Sequence, residues 1–288
     1  MKILVTGSEG MLGQAVMTRL ASTHQLTGVD LADADLTKAD QVEALFQRTN
    51  PEWVIHCAAW TNVDGAETER ETCMAVNGLA TELMVENCDR LQAGLTYIST
   101  DYVFNGRGGA MGYAEDEERD PINYYGLSKA RGEKAVEAMT GPWQIVRTSW
   151  LFGDGPSNFP KTIRRLLGQK PQLKVVADQR GCPTYADDLA DILGFLVSSD
   201  NRGIFHGTNS GQCTWFDLAR EVAGLIKVDS QNVVACAGTE YPTAAKRPAC
   251  SVLQSKRLEA AGCPDRNLWQ DAVARYIHLL ESGQARHS

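Results

Sequence analysis

The sequence predicts an α/β protein, with a Rossmann-like doubly wound parallel sheet and a smaller, interleaved C-terminal domain. A short apolar run, residues 2–6, leads straight into a glycine-rich turn and then into an amphipathic stretch, which is the pattern of a buried strand followed by a helix. Apolar runs and helical patterns then alternate as far as residue 150. Such alternation is typical of parallel strands that are joined by right-handed helical crossovers.

Three glycines follow the first strand in the pattern G-x-x-G-x-x-G: Gly7, Gly10 and Gly13. A glycine turn between a parallel strand and a helix gathers unpaired backbone N–H groups and the positive helix end at one point, which suits a pyrophosphate. Asp30 closes the second strand, where a carboxylate can accept hydrogen bonds from a ribose diol. The glycines alone would also fit a turn that packs a helix on a strand and binds nothing. Together with the strand, the helix and Asp30, they favour a dinucleotide-binding site.

Asp30 also bears on which dinucleotide is bound. Its carboxylate would repel a 2′-phosphate, so the residue favours NAD over NADP, although a nearby lysine or arginine could offset that preference. Asp35 and Leu36 fit either a contact with adenine or a solvated loop and helix cap. Small residues after the third strand leave room for a ligand to approach the backbone. The further candidate cofactor contacts are Met11, Leu12, Asp35, Leu36, Ala58, Ala59 and Trp60.

The predicted domain limits follow a loosening of the pattern after residue 150. Residues 1–150 form the dinucleotide-binding domain, and residues 185–206 return to it as a helix and a strand. Residues 151–184 and 207–288 form the smaller, substrate-binding domain. No clean linker separates the two, so the domains are expected to interleave.

Two long helices are predicted in the first domain. One covers residues 72–91, where Asn77 is a polar residue among apolar ones and is therefore either exposed or bonded to a backbone group. The other covers residues 121–139 and begins at Pro121, because proline suits the first turn of a helix.

Composition excludes several kinds of partner. The net charge of −8 and the pI of about 5.2 argue against nucleic acid and anionic membranes. No apolar run approaches the roughly eighteen residues that a membrane span needs, and the first strand begins at once, without room for a signal peptide. Eight cysteines lie well apart, without C-x-x-C pairs or clustered histidines, so no metal site is predicted and reduced thiols in the cytoplasm are expected.

A second set of residues points to proton-transfer chemistry. Tyr125 and Lys129 are four residues apart on a predicted helix and therefore share one face. A free phenol has a pKa near 10, and a nearby ammonium group lowers it by favouring the phenolate. Thr100 ends the fourth strand, so a parallel sheet brings its hydroxyl to the same edge, where it can polarise a carbonyl. Ser99, one residue earlier, should face the opposite side of the sheet. Y-x-x-x-K alone also occurs on ordinary surface helices.

These motifs resemble the extended short-chain dehydrogenase/reductases. Within that group, longer stretches are similar to the dTDP-4-dehydrorhamnose reductase family, and the resemblance continues through Arg247-Pro248 and so covers nearly the whole chain. The stretches that carry it are residues 56–64 (HCAAWTNVD), 99–104 (STDYVF), 147–153 (RTSWLFG) and 178–184 (DQRGCPT).

The resemblance implies that NADPH or NADH reduces the C4 ketone of dTDP-4-dehydro-L-rhamnose to dTDP-L-rhamnose. It implies that Tyr125 is the general acid, that Thr100 binds the same oxygen, and that Lys129 tunes Tyr125 and grips the nicotinamide ribose. It assigns substrate contacts to Thr61, Val63, Thr100, Asp101, Trp150 and Arg247. A tryptophan can serve as a flat apolar wall for a sugar ring or as plain core packing. Arg247 can hold a diphosphate with its planar fork or form a surface salt bridge.

One departure from the family pattern concerns assembly. Some members dimerise through a magnesium site that includes a glutamate near the start of the first helix. Residues 13–16 of this chain contain no acid, which favours a monomer over a magnesium-bridged dimer.

Three other functions remain open. A nucleotide-sugar dehydratase would carry Thr-Asp-Glu where this chain has Thr100-Asp101-Tyr102, so the second acid is missing. An epimerase would keep its cofactor bound and consume no NADPH. A non-catalytic regulator, like the regulatory β subunit of methionine adenosyltransferase, would act by binding a partner, and an intact Thr100, Tyr125 and Lys129 set favours an enzyme instead.

Overall fold

The computed structural model describes residues 1–155 and 157–283. Strands and helices alternate through the first half of the chain, and a single π-helical turn, Ala75–Leu79, joins its third and fourth helices. The elements are β1 Lys2–Thr6, α1 Met11–Arg19, β2 Gln25–Val29, α2 Ala39–Thr49, β3 Trp53–His56, α3 Arg70–Met74, α4 Ala80–Leu91, β4 Gly94–Thr100, α5 Tyr124–Glu137 and β5 Trp143–Thr148.

The elements of the second half are shorter and less regular. They are β6 Leu151–Phe152, α6 Phe159–Leu167, β7 Leu173–Val176, β8 Arg180–Gly181, β9 Thr184–Tyr185, α7 Ala186–Val197, β10 Gly203–His206, β11 Cys213–Thr214, α8 Trp215–Leu225, β12 Val233–Cys236, α9 Lys256–Ala260 and α10 Trp269–Glu281. No helix among the described residues is both long and apolar enough to cross a bilayer.

Six strands form one parallel sheet in the order β10-β5-β4-β3-β1-β2. The predicted α/β fold with a doubly wound parallel sheet is therefore confirmed. The chain first adds β2 on one side of β1 and then adds β3 on the other side. Ligands of open α/β sheets bind at such a reversal, outside the carboxyl ends of the strands.

The second half contributes one strand to this sheet, because β10 pairs with β5. The remaining short strands pair among themselves, β7 with β12, β8 with β11 and β6 with β9. The limits of the two domains stay a prediction.

Both faces of the sheet are covered by helices. On one face α1 and α7 pack side by side on Ile3 and Val5, and on the other α2 and α4 pack on Leu4 and Val54. Consecutive residues of β1 therefore enter opposite apolar layers, which explains its continuous apolar run. A third apolar cluster, which includes Phe152, joins the helices of the second half.

The structure corrects the start of both long helices. α5 begins at Tyr124, not at Pro121, because the side chain of Asn123 accepts the N–H of Gly126 at 2.8 Å and caps the helix. The predicted helix over residues 72–91 begins at Arg70 and contains the π-helical turn. A hydrophobic pattern shows neither feature, since capping and π-turns depend on individual hydrogen bonds.

Candidate active site

A cleft of about 900 Å³ opens at the carboxyl ends of the first five strands. It lies at the reversal of the strand order, where the topology predicts a ligand site. All predicted site residues except Arg247 line it. These residues are Gly7, Gly10, Met11, Leu12, Gly13, Asp30, Asp35, Leu36, Ala58, Ala59, Trp60, Thr61, Val63, Thr100, Asp101, Tyr125, Lys129 and Trp150.

The glycine turn is shaped by close backbone approaches. Gly7 has a φ of +65°, a conformation that favours glycine. A Cβ atom on Gly13 would lie 2.0 Å from the carbonyl oxygen of Gly7, so only glycine lets α1 start this near to β1. The N-cap residue of α1 is Gly10, which has no side chain to cap the helix, and the first N–H groups of the helix, at Met11 and Leu12, have no partner within the helix. This cradle fits the pyrophosphate of a dinucleotide.

Asp30 lies beside the same turn. One carboxylate oxygen accepts the backbone N–H of Glu9 at 3.0 Å, and the other accepts the N–H of Leu31 at 2.8 Å. The acid therefore fixes the glycine turn while also lining the cleft.

Thr100, Tyr125 and Lys129 come together on one side of the cleft. Thr100 is the last residue of β4, and its hydroxyl lies near enough to the Tyr125 phenol to lower the pKa of that phenol. Lys129 follows one turn later on α5 and is only 2% exposed. Its Nζ lies 4.1 Å from the centroid of the Tyr97 ring, a distance that allows a cation–π interaction. The predicted convergence of a phenol, an ammonium group and a hydroxyl is present.

Burial shifts the pKa values of Tyr125 and Lys129. Burial raises the pKa of the Tyr125 phenol, and this effect outweighs that of the Thr100 hydroxyl, which lowers the same pKa. The expectation that the phenol pKa falls below its usual value is therefore not met, because burial outweighs the groups that lower it. Burial also lowers the pKa of Lys129 to about 7, opposed by the charge of Glu133. Tyr125 thus holds its proton at neutral pH, which suits a proton donor.

Asn77 joins the loop after β3, at Trp60, to α5. Its carboxamide accepts the backbone N–H of Trp60 at 2.9 Å and donates to the Trp60 carbonyl at 3.1 Å. It also donates to Ser128 Oγ at 2.9 Å, and Ser128 donates to the Tyr125 carbonyl at 2.7 Å. Of the two predicted environments for Asn77, the structure shows the one with backbone bonds. The sequence could not name Trp60 as the partner, since the two residues meet only in the fold.

A buried ion pair lies beneath Lys129. Arg147 donates two hydrogen bonds to Glu133, at 2.7 and 2.9 Å, and Arg119 adds a third at 3.0 Å. Ser99 also donates to Glu133, on the side of the strand away from Thr100. Although burial opposes ionisation, Arg147 and its neighbours hold the pKa of Glu133 below its usual value. Glu133 was not foreseen from the sequence, because its buried partners come from other elements.

A second groove, of about 970 Å³, adjoins the cleft at Tyr102, which lines both. Arg247 lies in this groove, where its guanidinium donates to Asp64 at 2.8 Å. Its other terminal nitrogen, Nη1, is buried and has no hydrogen-bond partner among the described residues. A partly unpaired guanidinium can bind an added anion. The lining of the groove also includes aromatic and basic side chains, namely Phe159, Trp215, Tyr241, Lys170, Lys174 and Lys246.

Two stacked indoles separate the cleft from the groove. Trp150 lines the cleft and Trp215 lines the groove, with ring centroids 3.5 Å apart and an interplanar angle of 9°. Trp150 has a φ of +48°, a backbone conformation that is rare outside glycine and clusters at functional sites. The Trp150 ring is therefore a wall of the cleft that a second ring supports from behind.

The fold and this cleft define an extended short-chain dehydrogenase/reductase. Comparison with known protein families identifies the family within this class. The family model described as the RmlD substrate binding domain matches residues 1–282, and the chain belongs to that family.

Relatives and solved structures agree with this placement. The dTDP-4-dehydrorhamnose reductase of Mycolicibacterium smegmatis is 37% identical, covering 98% of this chain and 88% of that protein. A crystal structure of a dTDP-4-dehydrorhamnose reductase from Clostridium acetobutylicum matches with a TM-score of 0.94 and 36% identity, over 98% of this chain and 100% of the other. One from Bacillus anthracis, in complex with NADP, matches with a TM-score of 0.91 and 35% identity, over 96% and 98%.

Proposed function

We propose that this protein reduces the C4 ketone of dTDP-4-dehydro-L-rhamnose to dTDP-L-rhamnose. The observation that carries the proposal is the meeting of Thr100, Tyr125 and Lys129 in the cleft that also holds the glycine turn. The reductases of Mycolicibacterium smegmatis and Clostridium acetobutylicum support the choice of substrate.

The cofactor in this proposal is NADPH or NADH, which supplies a hydride when bound. The turn from Gly7 to Gly13 would hold its diphosphate. Asp30, Asp35 and Leu36 would contact the adenosine end, and Ala58, Ala59, Trp60 and Lys129 the nicotinamide end. The NADP in the Bacillus anthracis relative shows that a member of this family accepts the 2′-phosphate. The test therefore uses both NADPH and NADH, because Asp30 favours NADH whereas this relative binds NADP.

In this mechanism Tyr125 gives its proton to the substrate oxygen, while the Thr100 hydroxyl binds that oxygen and orients it. Lys129, held against Tyr97, stabilises the phenolate that is left. Thr61, Val63, Asp101 and Trp150 would surround the sugar. Arg247 would bind the diphosphate from the second groove, where its Nη1 is unpaired among the described residues, and Tyr102 lies between the two sites.

The test follows the absorbance of the reduced nicotinamide with the purified protein. We expect it to fall when dTDP-4-dehydro-L-rhamnose is supplied, with NADPH, NADH or both, and to stay constant without the sugar. The same assay with other nucleotide 4-ketosugars compares their rates of reduction and so measures substrate specificity. Folded protein that consumes neither nucleotide would overturn the proposal and favour the partner-binding function of a regulatory subunit.

We further propose that the protein is a monomer in the cytoplasm. The first turn of α1 contains no acid, and all eight cysteines are free thiols, which fits a reducing compartment. Sedimentation with and without magnesium tests the assembly. A dimer that forms only with magnesium would contradict it.

A further inference from the structure

Arg247 is held from one side by Asp64, an acid in the loop after β3. Asp64 Oδ2 accepts a hydrogen bond from Arg247 Nη2 at 2.8 Å. The other oxygen, Oδ1, accepts the backbone N–H of Ala245 at 2.9 Å. The carboxylate therefore holds both the guanidinium of Arg247 and the backbone two residues before it.

The contact leaves Arg247 able to bind a ligand. Arg247 lines the second groove, and its side chain is 20% exposed. A guanidinium carries five N–H donors, and the hydrogen bond that the described residues show from this one goes to Asp64. The Asp64 side chain is 42% exposed, and an ion pair with so exposed a partner adds little to the free energy of unfolding. Stability alone therefore does not account for the pair.

The ring of Tyr102 fixes Arg247 on a second side. Arg247 Cζ lies 5.9 Å from the centroid of that ring, within the range of a cation–π interaction. The Tyr102 ring in turn contacts the ring of Tyr125 edge to face, with centroids 5.7 Å apart. One aromatic ring thus connects the guanidinium to the proton donor, so the position of Arg247 decides where a bound anion lies relative to Tyr125.

The backbone beside Arg247 is also anchored to α5. Asn123, which caps that helix, donates from Nδ2 to the carbonyl oxygen of Lys246 at 2.9 Å. Together with the bond from Ala245 to Asp64, this contact attaches the segment both to the loop after β3 and to the start of the helix that carries Tyr125. Support of this kind holds a binding side chain in a defined place.

We propose, on the basis of the reductase function above, that Asp64 is a positioning residue for substrate binding. It holds Arg247 so that the remaining N–H donors of the guanidinium meet the diphosphate of the nucleotide sugar. Asp64 acts through Arg247 and not on the substrate itself, because a carboxylate repels a diphosphate. An arginine that is already oriented loses less side-chain entropy when the ligand binds. For Arg247, the salt bridge thus prepares the diphosphate contact.

Asp64→Asn separates the two contacts of the carboxylate. Asparagine can still accept the N–H of Ala245, but its amide group presents donors to Arg247 and cannot accept from it. We expect the affinity for dTDP, measured by calorimetry, to fall by about fivefold or more, within the range of coupling in one hydrogen-bond network. The KM for the sugar substrate should rise in parallel, while kcat changes little.

Two controls accompany this variant. The affinity of Asp64→Asn for NADPH and NADH should stay unchanged, because their diphosphate is assigned to the glycine turn. Asp191→Asn, which removes the charge from an exposed pair with Arg19, should bind dTDP like wild type. An unchanged or higher affinity of Asp64→Asn for dTDP would overturn the proposal.

A double-mutant cycle provides a readout that a merely structural role would not move. If Asp64 acts through Arg247, Asp64→Asn should have no further effect on dTDP affinity once Arg247→Gln is present. Equal losses in the wild-type and Arg247→Gln backgrounds would overturn the positioning role.

Arg247→Lys keeps the proposal testable if Asp64→Asn does not fold. Lysine retains the charge but not the planar fork, so the dTDP affinity of Arg247→Lys should fall about as far as that of Arg247→Gln. Wild-type affinity in Arg247→Lys would show that an oriented guanidinium is not needed. Since dTDP binding is measured without turnover, a protein that binds dTDP as expected but consumes no reduced nicotinamide overturns the reductase proposal alone.

Discussion

Lys129 shows how strongly its surroundings determine the properties of a single residue in this protein. An ordinary lysine is charged well above neutral pH, but burial lowers the pKa of this one to about 7. The face of the Tyr97 ring and the charge of Glu133 both favour the ammonium form. Lys129 therefore depends on these two neighbours for the charge that it keeps near neutral pH.

Tyr125→Phe is the test of the proton donor. We expect turnover to fall by about a hundredfold or more, the size of a lost general acid. Nicotinamide nucleotide binding, measured by calorimetry, should change little, because the diphosphate contacts lie at the glycine turn. Tyr124→Phe, the preceding residue on α5, is the control and should retain its activity. Near-normal turnover of Tyr125→Phe would remove this residue from the mechanism.

For single residues, the sequence predicts which side chains form the site better than it predicts how deeply those side chains are buried. The spacing of Tyr125 and Lys129 and the strand end at Thr100 identify the set, because both follow from local geometry. The raised pKa of Tyr125 and the burial of Asp101 Oδ2, which has no hydrogen-bond partner in the described part of the chain, depend on distant segments. No local pattern encodes that burial.

At the scale of elements, the start of α1 decides whether a dinucleotide can be held. The helix begins without a side-chain cap and in contact with the Gly7 carbonyl. Its free N–H groups are available only because the glycine turn brings the helix end up to the strand.

Gly13→Ala tests this arrangement. The added methyl would lie 2.0 Å from the Gly7 carbonyl oxygen, so α1 must move away from the turn. We expect the affinity for NADPH or NADH to fall by about tenfold or more, corresponding to about 1.4 kcal/mol, when measured by fluorescence titration.

The matched control for that change is Gly224→Ala in α8. Among residues 1–155 and 157–283, no atom outside the local helix backbone lies within 4 Å of a Cβ at this exposed position. Alanine stabilises helices relative to glycine by roughly 0.5–1 kcal/mol. Nucleotide affinity should stay unchanged while the urea midpoint rises slightly. Equal affinities for wild type and Gly13→Ala would show that the close approach is not needed for binding.

Helices and strands are predicted well where a periodic hydrophobic pattern specifies them. They are predicted poorly where a hydrogen bond from a single side chain sets the boundary of the element. The strands of the parallel sheet follow from apolar runs. The true start of α5 depends on a single hydrogen bond from Asn123, and Pro121 gave a competing signal. The Trp150–Trp215 stack joins residues that are distant in the sequence, so only the fold shows it.

At the scale of the whole molecule, one acid ties the sheet to the second half of the chain. Asp188 lies on α7, which packs on the sheet. It accepts hydrogen bonds from Asn209 at 2.6 Å, from Asn267 at 3.3 Å and from Arg275 of α10 at 2.6 Å. Its side chain is 11% exposed, so these bonds are largely shielded from water.

Asp188→Ala should lower the free energy of unfolding by about 2 kcal/mol or more, since hydrogen bonds to charged groups are worth roughly 1.5–3 kcal/mol. Urea unfolding followed by tryptophan fluorescence measures the change. Asp191→Ala, one turn later on α7, removes an exposed pair with Arg19 and should cost only about 0–1 kcal/mol. Similar losses for both variants would show that Asp188 is no more than a surface ion pair.

The overall topology was predictable because alternation and apolar runs limit the possible sheets to a few. The position of β10 beside β5 agrees with the expectation that residues 185–206 return to the sheet. The contacts between the halves were not predictable, because they join Asp188 to residues 21 and more positions away.

The π-helical turn Ala75–Leu79 has a consequence for how such chains can change in length. Each residue of a regular helix turns the chain by about 100°, and a π-turn accommodates one extra residue without breaking the helix. Deletion of one residue from this turn would restore a regular helix and rotate Asn77 away from Trp60. Deletion of one residue from an exposed loop would leave the hydrogen bonds between Asn77 and Trp60 unchanged. Homologous genes should therefore tolerate deletions in this helix only where the loop after β3 has acquired another anchor.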